Sequence, residues 1–303
     1  MFRSLGSIAT IAASILFGWE AAAQARVEPF VLTELSGRFE FKVDAAPRPL
    51  PVWYCRPPAV GPETRLIFLM HGGNPDTARQ ACDLGGGFAR ANNALILVPE
   101  FSADAYPGDL YMFGGMVTPL GELLPKAQWG LMVIEQLFDA ARIGLRLRSD
   151  TYDIVGFSGG GQFVQRLVLF LPDARFRRAV AGSPGRYAFP TRAIPFPYGL
   201  GKNRVAETQL RAAFGRDFVL VLGDSDTADR DREPAAMAQG QNRFARGLRF
   251  FATATEEAAI LGVPLAWRLQ ILHGVDHDPN RVVHAALEQL LEMPPIGSQP
   301  PQR

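Results

Sequence analysis

Gly156-Phe157-Ser158-Gly159-Gly160 places a serine among glycines at the spacing Gly-x-Ser-x-Gly. Its flanks give the pattern a geometry. Thr151 to Val155 is β-prone, and Gln162 to Phe170 carries apolar residues at 163, 164, 167, 168 and 170, the spacing of a helix. A strand, a sharp turn with serine at its apex and then a helix would present the hydroxyl as a nucleophile. On so tight a turn the neighbouring backbone closes in, and residues without a Cβ fit best. The free N–H groups at the start of the helix would face an anion forming beside the serine. In a chain with 30 glycines the same pattern also fits a plain glycine-rich connection, so other residues have to decide.

A serine hydroxyl near neutral pH is a poor nucleophile without a base. The chain offers four histidines, His71, His273, His277 and His284. Trp267 to Leu272 reads as a strand, Gly274 to Pro279 as a turn, and Arg281 to Leu291 as a helix. His277 therefore falls on a loop at the carboxyl end of a strand, like Ser158. His273, at the end of the strand itself, is its rival, and His284 lies inside the helix. The base needs a carboxylate to orient it. Phe218 to Leu222 is an uninterrupted apolar run, the mark of a strand buried on both faces, and it leads into Gly223-Asp224-Ser225-Asp226. Asp224 and Asp226 both qualify, and either could equally be a turn or helix-cap residue.

Arg65 to Met70 is another apolar strand, running into His71-Gly72-Gly73-Asn74. Glycines here allow backbone N–H groups to point at a developing oxyanion, a donor worth roughly 3–4 kcal/mol to the transition state. The candidate donors are Gly73 or Asn74, together with Gly159 beside the serine. His71 is expected to brace this loop and not to act as the base.

Ser158, then the acid, then His277 is the chain order of the α/β-hydrolases, and over residues 36 to 293 the chain resembles that superfamily. It is most similar to secreted esterases of the polyhydroxybutyrate-depolymerase-like and feruloyl-esterase-like kind. The resemblance implies an acid in Gly-x-x-Asp, which selects Asp226, and a base in Gly-x-x-His, which selects His277. It also implies two-step acyl transfer on a carboxylic ester, of a small molecule or a polyester. An amidase or peptidase on the same fold, or an inactive binding protein, are the alternatives. The third glycine, Gly161, departs from relatives that carry His or Ala nearby, and that leaves the mechanism intact.

These residues need a scaffold. Strands are expected near 37–43, 50–55, 65–70, 93–99, 151–157, 177–182, 217–223 and 266–272. Helices are expected near 76–91, 127–146, 160–171, 204–214, 231–261 (broken near Gly240 or Gly247) and 280–292. The alternation predicts a single α/β domain, a mostly parallel eight-stranded sheet with helices on both faces and its ligand beyond the strands' carboxyl ends. Two irregular segments, 101–125 and 183–203, leave that same edge. Their aromatic residues, Tyr187, Phe189 and Tyr198 among them, are candidates for an apolar substrate pocket. The other reading is a packed loop with its aromatics turned inward.

Met1-Phe2-Arg3, an apolar run from Ile8 to Trp19 and Ala23-Gln24-Ala25 describe a secretory signal peptide cleaved after Ala25. The expected location is then secreted or periplasmic, with an uncleaved anchor as the alternative. The mature domain would be 26–303, with a loose proline-rich tail from about 294. The net charge of +1 gives no handle for nucleic acid, and no residue spacing suggests a metal or a cofactor. Cys55 and Cys82 could bridge in an oxidising compartment or stand as two separate buried thiols.

Overall fold

The computed structural model describes residues 31–43, 49–106, 110–118, 120–201, 205–228 and 231–292. The signal peptide and the tail expected from about 294 lie outside the described residues. Eight strands form one sheet, β1 (Ser36–Phe41), β2 (Leu50–Cys55), β3 (Arg65–Met70), β4 (Ala94–Pro99), β5 (Tyr152–Phe157), β6 (Phe176–Gly182), β7 (Phe218–Gly223) and β8 (Arg268–Leu272). Their spatial order is β1-β2-β4-β3-β5-β6-β7-β8. The β1–β2 and β2–β4 pairs are antiparallel, and every pair from β4 to β8 is parallel.

Parallel strands need crossovers, and these are helices: α1 (Thr77–Ala91), α2 (Leu131–Gly144), α3 (Gly159–Phe170), α4 (Glu207–Phe214), α5 (Pro234–Gln239) and α6 (Arg243–Leu261); α7 (Pro279–Glu288) follows β8. The two-residue period of the strands divides their side chains between two cores. Phe68, Ile154, Ala179 and Leu220 face one side, against α3 and α6. Ile67, Val155, Val180 and Val219 face the other, against α1 and α7. This double burial is why β3 after Arg65, β4 and β7 read as unbroken apolar runs. β1, at one edge, alternates between exposed and half-buried positions.

Helix limits differ from expectation where a local cause intervenes. The helix expected at 127–146 opens as a short 3-10 turn, Lys126–Gln128, and α2 begins only after Gly130. The backbone of Gly130 lies against Gly114 and Gly115, and a Cβ on it would stand 3.1 Å from the Gly114 carbonyl oxygen. The long helix expected at 231–261 is broken near Gly240, not at Gly247. Asn242 then starts α6 by accepting a hydrogen bond from the Ala245 N–H at 2.8 Å. Cys55 and Cys82 are joined in a disulfide with Cα atoms 5.9 Å apart, tying β2 to α1.

Among the described residues, no helix is long and apolar enough to cross a membrane, and no group of three or more His, Cys, Asp or Glu side chains is placed to hold a metal ion.

Candidate active site

β5, at the middle of the sheet, delivers Ser158, which sits at φ 54° and ψ −111° immediately before α3. A non-glycine residue with positive φ stores backbone strain, and such strain persists only where the surroundings over-determine it. Here the surroundings are backbone. A Cβ on Gly160 would lie 2.1 Å from the Met70 carbonyl oxygen, and one on Gly159 would lie 2.7 Å from the Gly73 nitrogen. The serine turn is thus packed directly onto the loop that follows β3.

β7 and β8 deliver the other two side chains. Their following loops are stitched together by Asp224 N–H to the Leu272 carbonyl at 3.2 Å and Ser225 N–H to the Val275 carbonyl at 3.0 Å. Ser158 Oγ lies 2.9 Å from His277 Nε2. On the other side of the ring, Nδ1 lies 2.7 Å from Asp226 Oδ2. The carboxylate can only accept, so Nδ1–H donates to it and Nε2 is left to accept the serine proton. Asp226 is 3% exposed, and its second oxygen accepts from Arg243 Nη1 at 3.0 Å.

The two rivals pair with each other instead. His273 and Asp224 meet at 2.9 Å on the surface, where His273 is 87% exposed. The hydrogen bonds from His273 and from the Gly274 N–H hold the Asp224 carboxyl below the usual carboxylate range. His284 also stands outside the site, exposed on α7 beside Glu288.

His71 is 1% exposed. Its Nδ1 lies 2.6 Å from the Gly72 carbonyl oxygen, and its Nε2 accepts from the Phe101 N–H at 3.1 Å. Its ring stacks on Tyr111 with centroids 4.4 Å apart. Burial holds its pKa down at about 4, so the imidazole is neutral with both nitrogens engaged. It is built into the loop as a brace. Of the candidate donors, Gly73 lies beside the serine cleft and against Gly159. Asn74 precedes α1, where its side chain accepts from the Asp76 N–H and its carbonyl from the Thr77 hydroxyl.

The aromatic pocket expected from the irregular loops does not form where Tyr187 and Phe189 were expected to line it. Tyr187 is 0% and Phe189 1% exposed, both packed on Phe250 of α6. The backbone of Tyr187 is clamped at both its N–H and carbonyl by the Gln239 amide, which locks the ring inward. Tyr198 gives its hydroxyl to the Glu233 carboxylate and its ring edge to Phe113. Instead, a cleft of about 300 Å³ beside Ser158 and His277 runs between α1 and α7. Three of its wall residues, Thr77, Gln80 and Leu84, recur at helical spacing on α1, a face readable from the sequence. Arg243 has a fainter sequence signal, a cation in the first turn of a helix, where the helix dipole disfavours it.

No protein-family model matches the chain, and no curated protein does. Solved structures do. Poly(aspartic acid) hydrolase-1 from Sphingomonas sp. KT-1 is 34% identical over 86% of this chain and 100% of its own, with a TM-score of 0.82. A poly(3-hydroxybutyrate) depolymerase from Bordetella parapertussis is 28% identical over 86% of this chain and 92% of its own, with a TM-score of 0.79. An S-formylglutathione hydrolase from Agrobacterium tumefaciens, 15% identical with a TM-score of 0.54, shares the fold. With this sheet order, this identity and this coverage, the chain belongs to the α/β-hydrolase superfamily, among its esterase- and depolymerase-like members.

Proposed function

We propose that this hydrolase cleaves carboxylic esters through an acyl-enzyme on Ser158. The observation that carries this reading is the continuous chain of short contacts from Ser158 Oγ through His277 to Asp226, at 2.9 and 2.7 Å. His277 Nε2 takes the serine proton as Oγ attacks the ester carbonyl. Asp226 keeps the imidazole in the tautomer that can accept, and it stabilises the imidazolium that forms. The oxyanion is held by backbone N–H groups of Gly73 and Gly159, whose chains lie against one another. His277 then gives its proton to the leaving alcohol. Water, deprotonated by the same nitrogen, attacks the acyl-enzyme and releases the acid.

The relationship to a poly(aspartic acid) hydrolase favours a second reading, hydrolysis of a backbone amide by the same machinery. One comparison separates the two. Wild type and Ser158→Ala are assayed on p-nitrophenyl butyrate and on poly(aspartic acid). The ester reading expects wild-type turnover of the ester and a loss of about 10³-fold or more in kcat for the variant. Turnover of poly(aspartic acid) with an inert ester would replace it by the amide reading. Equal ester rates for both proteins would remove Ser158 from the chemistry.

A further inference from the structure

The cleft beside Ser158 has a definite chemical character. Its walls are Thr77, Gln80 and Leu84 of α1, Phe157 ahead of the serine, and Pro279 and Val283 of α7. None of its lining residues is Asp, Glu, Lys or Arg. The polar groups present are largely committed. The Thr77 hydroxyl donates to the Asn74 carbonyl at 2.6 Å, and both ring nitrogens of His71 are engaged within the loop. Beyond the catalytic pair, the amide of Gln80, exposed at the rim, remains to meet a polar atom. A charged group entering the cleft would give up part of its water with no counter-charge among the lining residues to replace it.

The dimensions are as specific. Thr77 opens α1 at the catalytic edge and Leu84 lies seven residues on, which is about 10 Å along a helix axis. A volume of about 300 Å³ corresponds to roughly ten water-sized groups at ~30 Å³ each. Leu84 and Phe157 are half-buried, packed on the smaller core and turned partly toward this space. The disulfide at Cys82 fixes the same turn of α1 to β2, so this wall is anchored to the sheet.

We propose that this groove is the substrate's specificity subsite, taking one neutral aliphatic chain of up to about ten non-hydrogen atoms, with Leu84 limiting its length and Gln80 tolerating a polar atom only at the mouth. The proposal rests on the ester-hydrolase reading and narrows it to uncharged aliphatic or hydroxyaliphatic esters. The anionic chains that a poly(aspartic acid) hydrolase handles would be excluded from this subsite.

The test measures kcat/KM for p-nitrophenyl acetate, butyrate, octanoate and dodecanoate, and for the mono-p-nitrophenyl ester of octanedioic acid. Active sites are counted by a fluorophosphonate for every protein. Wild type is expected to favour octanoate over its carboxylate-tipped counterpart at least tenfold. Leu84→Trp, which fills the far end, is expected to lower the octanoate-to-acetate ratio at least tenfold. Leu84→Ala, which deepens the groove, is expected to raise the dodecanoate-to-octanoate ratio severalfold, and it serves if the tryptophan variant does not fold. Equal rates on the neutral and carboxylate-tipped esters would overturn the assigned substrate class. Chain-length ratios indifferent to both Leu84 variants in a wild type that turns over acetate would overturn the groove alone. A wild type that neither hydrolyses acetate nor takes up the fluorophosphonate would overturn the ester reading and this subsite with it.

Discussion

Asp226 holds a charge where water barely reaches, and what surrounds it decides how well His277 works. Only 3% of its side chain is exposed, with His277 on one oxygen and Arg243 on the other. A buried carboxylate with one partner can rotate, and one with both oxygens held cannot. Arg243 occupies the first turn of α6, where a cation costs about 0.3–1 kcal/mol against the helix dipole. Its contact with Asp226 gives that placement a purpose. On the proposed mechanism Arg243 is thus a positioning residue, acting on the serine through the acid and the base. Arg243→Met is expected to lower kcat per titrated active site about 10- to 100-fold while KM moves less than threefold. Arg243→Lys should recover part of the loss, since an ammonium restores the charge without the planar fork. A purely structural role would reduce the number of titratable sites and leave kcat per site intact, so the titrated rate discriminates between the two.

At the scale of elements, α1 does two jobs, and the disulfide joins them. One face packs Ala78, Ala81, Gly85 and Ala89 against the sheet, and the neighbouring face forms the wall of the groove. The Cys55–Cys82 bridge closes a separation of 27 residues, which in the chain-entropy account stabilises the fold by roughly 3–4 kcal/mol. The Cys55→Ala/Cys82→Ala double variant is expected to lose about that much in urea unfolding, with a lower midpoint. Two free thiols in denatured, unreduced wild type would remove the bridge and the prediction together. That pairing could not be read from two cysteines alone, because spacing does not give the distance between Cα atoms. The strands were legible for the opposite reason. Burial on both faces writes itself into the sequence as an unbroken apolar run in β3 (after Arg65), β4 and β7, and these strands, with β5 and β6, fall within a residue or two of expectation. Ser158, His277 and Asp226 were legible because each follows the carboxyl end of a strand, and the resemblance chose between the paired aspartates and histidines. The inward turn of Tyr187 and Phe189 was not legible. An aromatic residue in a loop has no period, and its direction depends here on Gln239, an amide 52 residues away.

Across the whole molecule, the two edges of the sheet treat charge differently. At the edge away from the site, the carbonyls of Leu290 and Glu292, in the turn that follows α7, accept from Arg65, Arg177 and Arg178, while Asp153 and Asp217 balance those cations. Cations at a helix carboxyl end are favourable, and they fix the helix whose other end follows His277. Among the buried titratable groups at the candidate site's edge, His71 is kept neutral, and it makes the fold sensitive to acid. Burial holds its folded pKa at about 4, against ~6.5 for a free imidazole. Above pH ~6.5 both folded and unfolded chains carry it neutral, and it adds no pH dependence. Between that value and about 4 the unfolded chain takes up a proton that the folded chain refuses, so stability falls as pH falls. The loss at pH 5 is about 2 kcal/mol at one unit per ~1.4 kcal/mol. Protonated Nε2 would also face the Phe101 N–H from which it now accepts, so the contact between His71 and the segment after β4 is what gives way. Urea unfolding of wild type at pH 7.5 and pH 5 measures the loss. His71→Gln, whose amide oxygen can accept from Phe101, supplies a side chain that does not titrate. Wild type is expected to lose about 2 kcal/mol more than the variant between the two pH values. An equal loss in both proteins would move the acid sensitivity away from His71 and onto the ion pairs of the opposite edge.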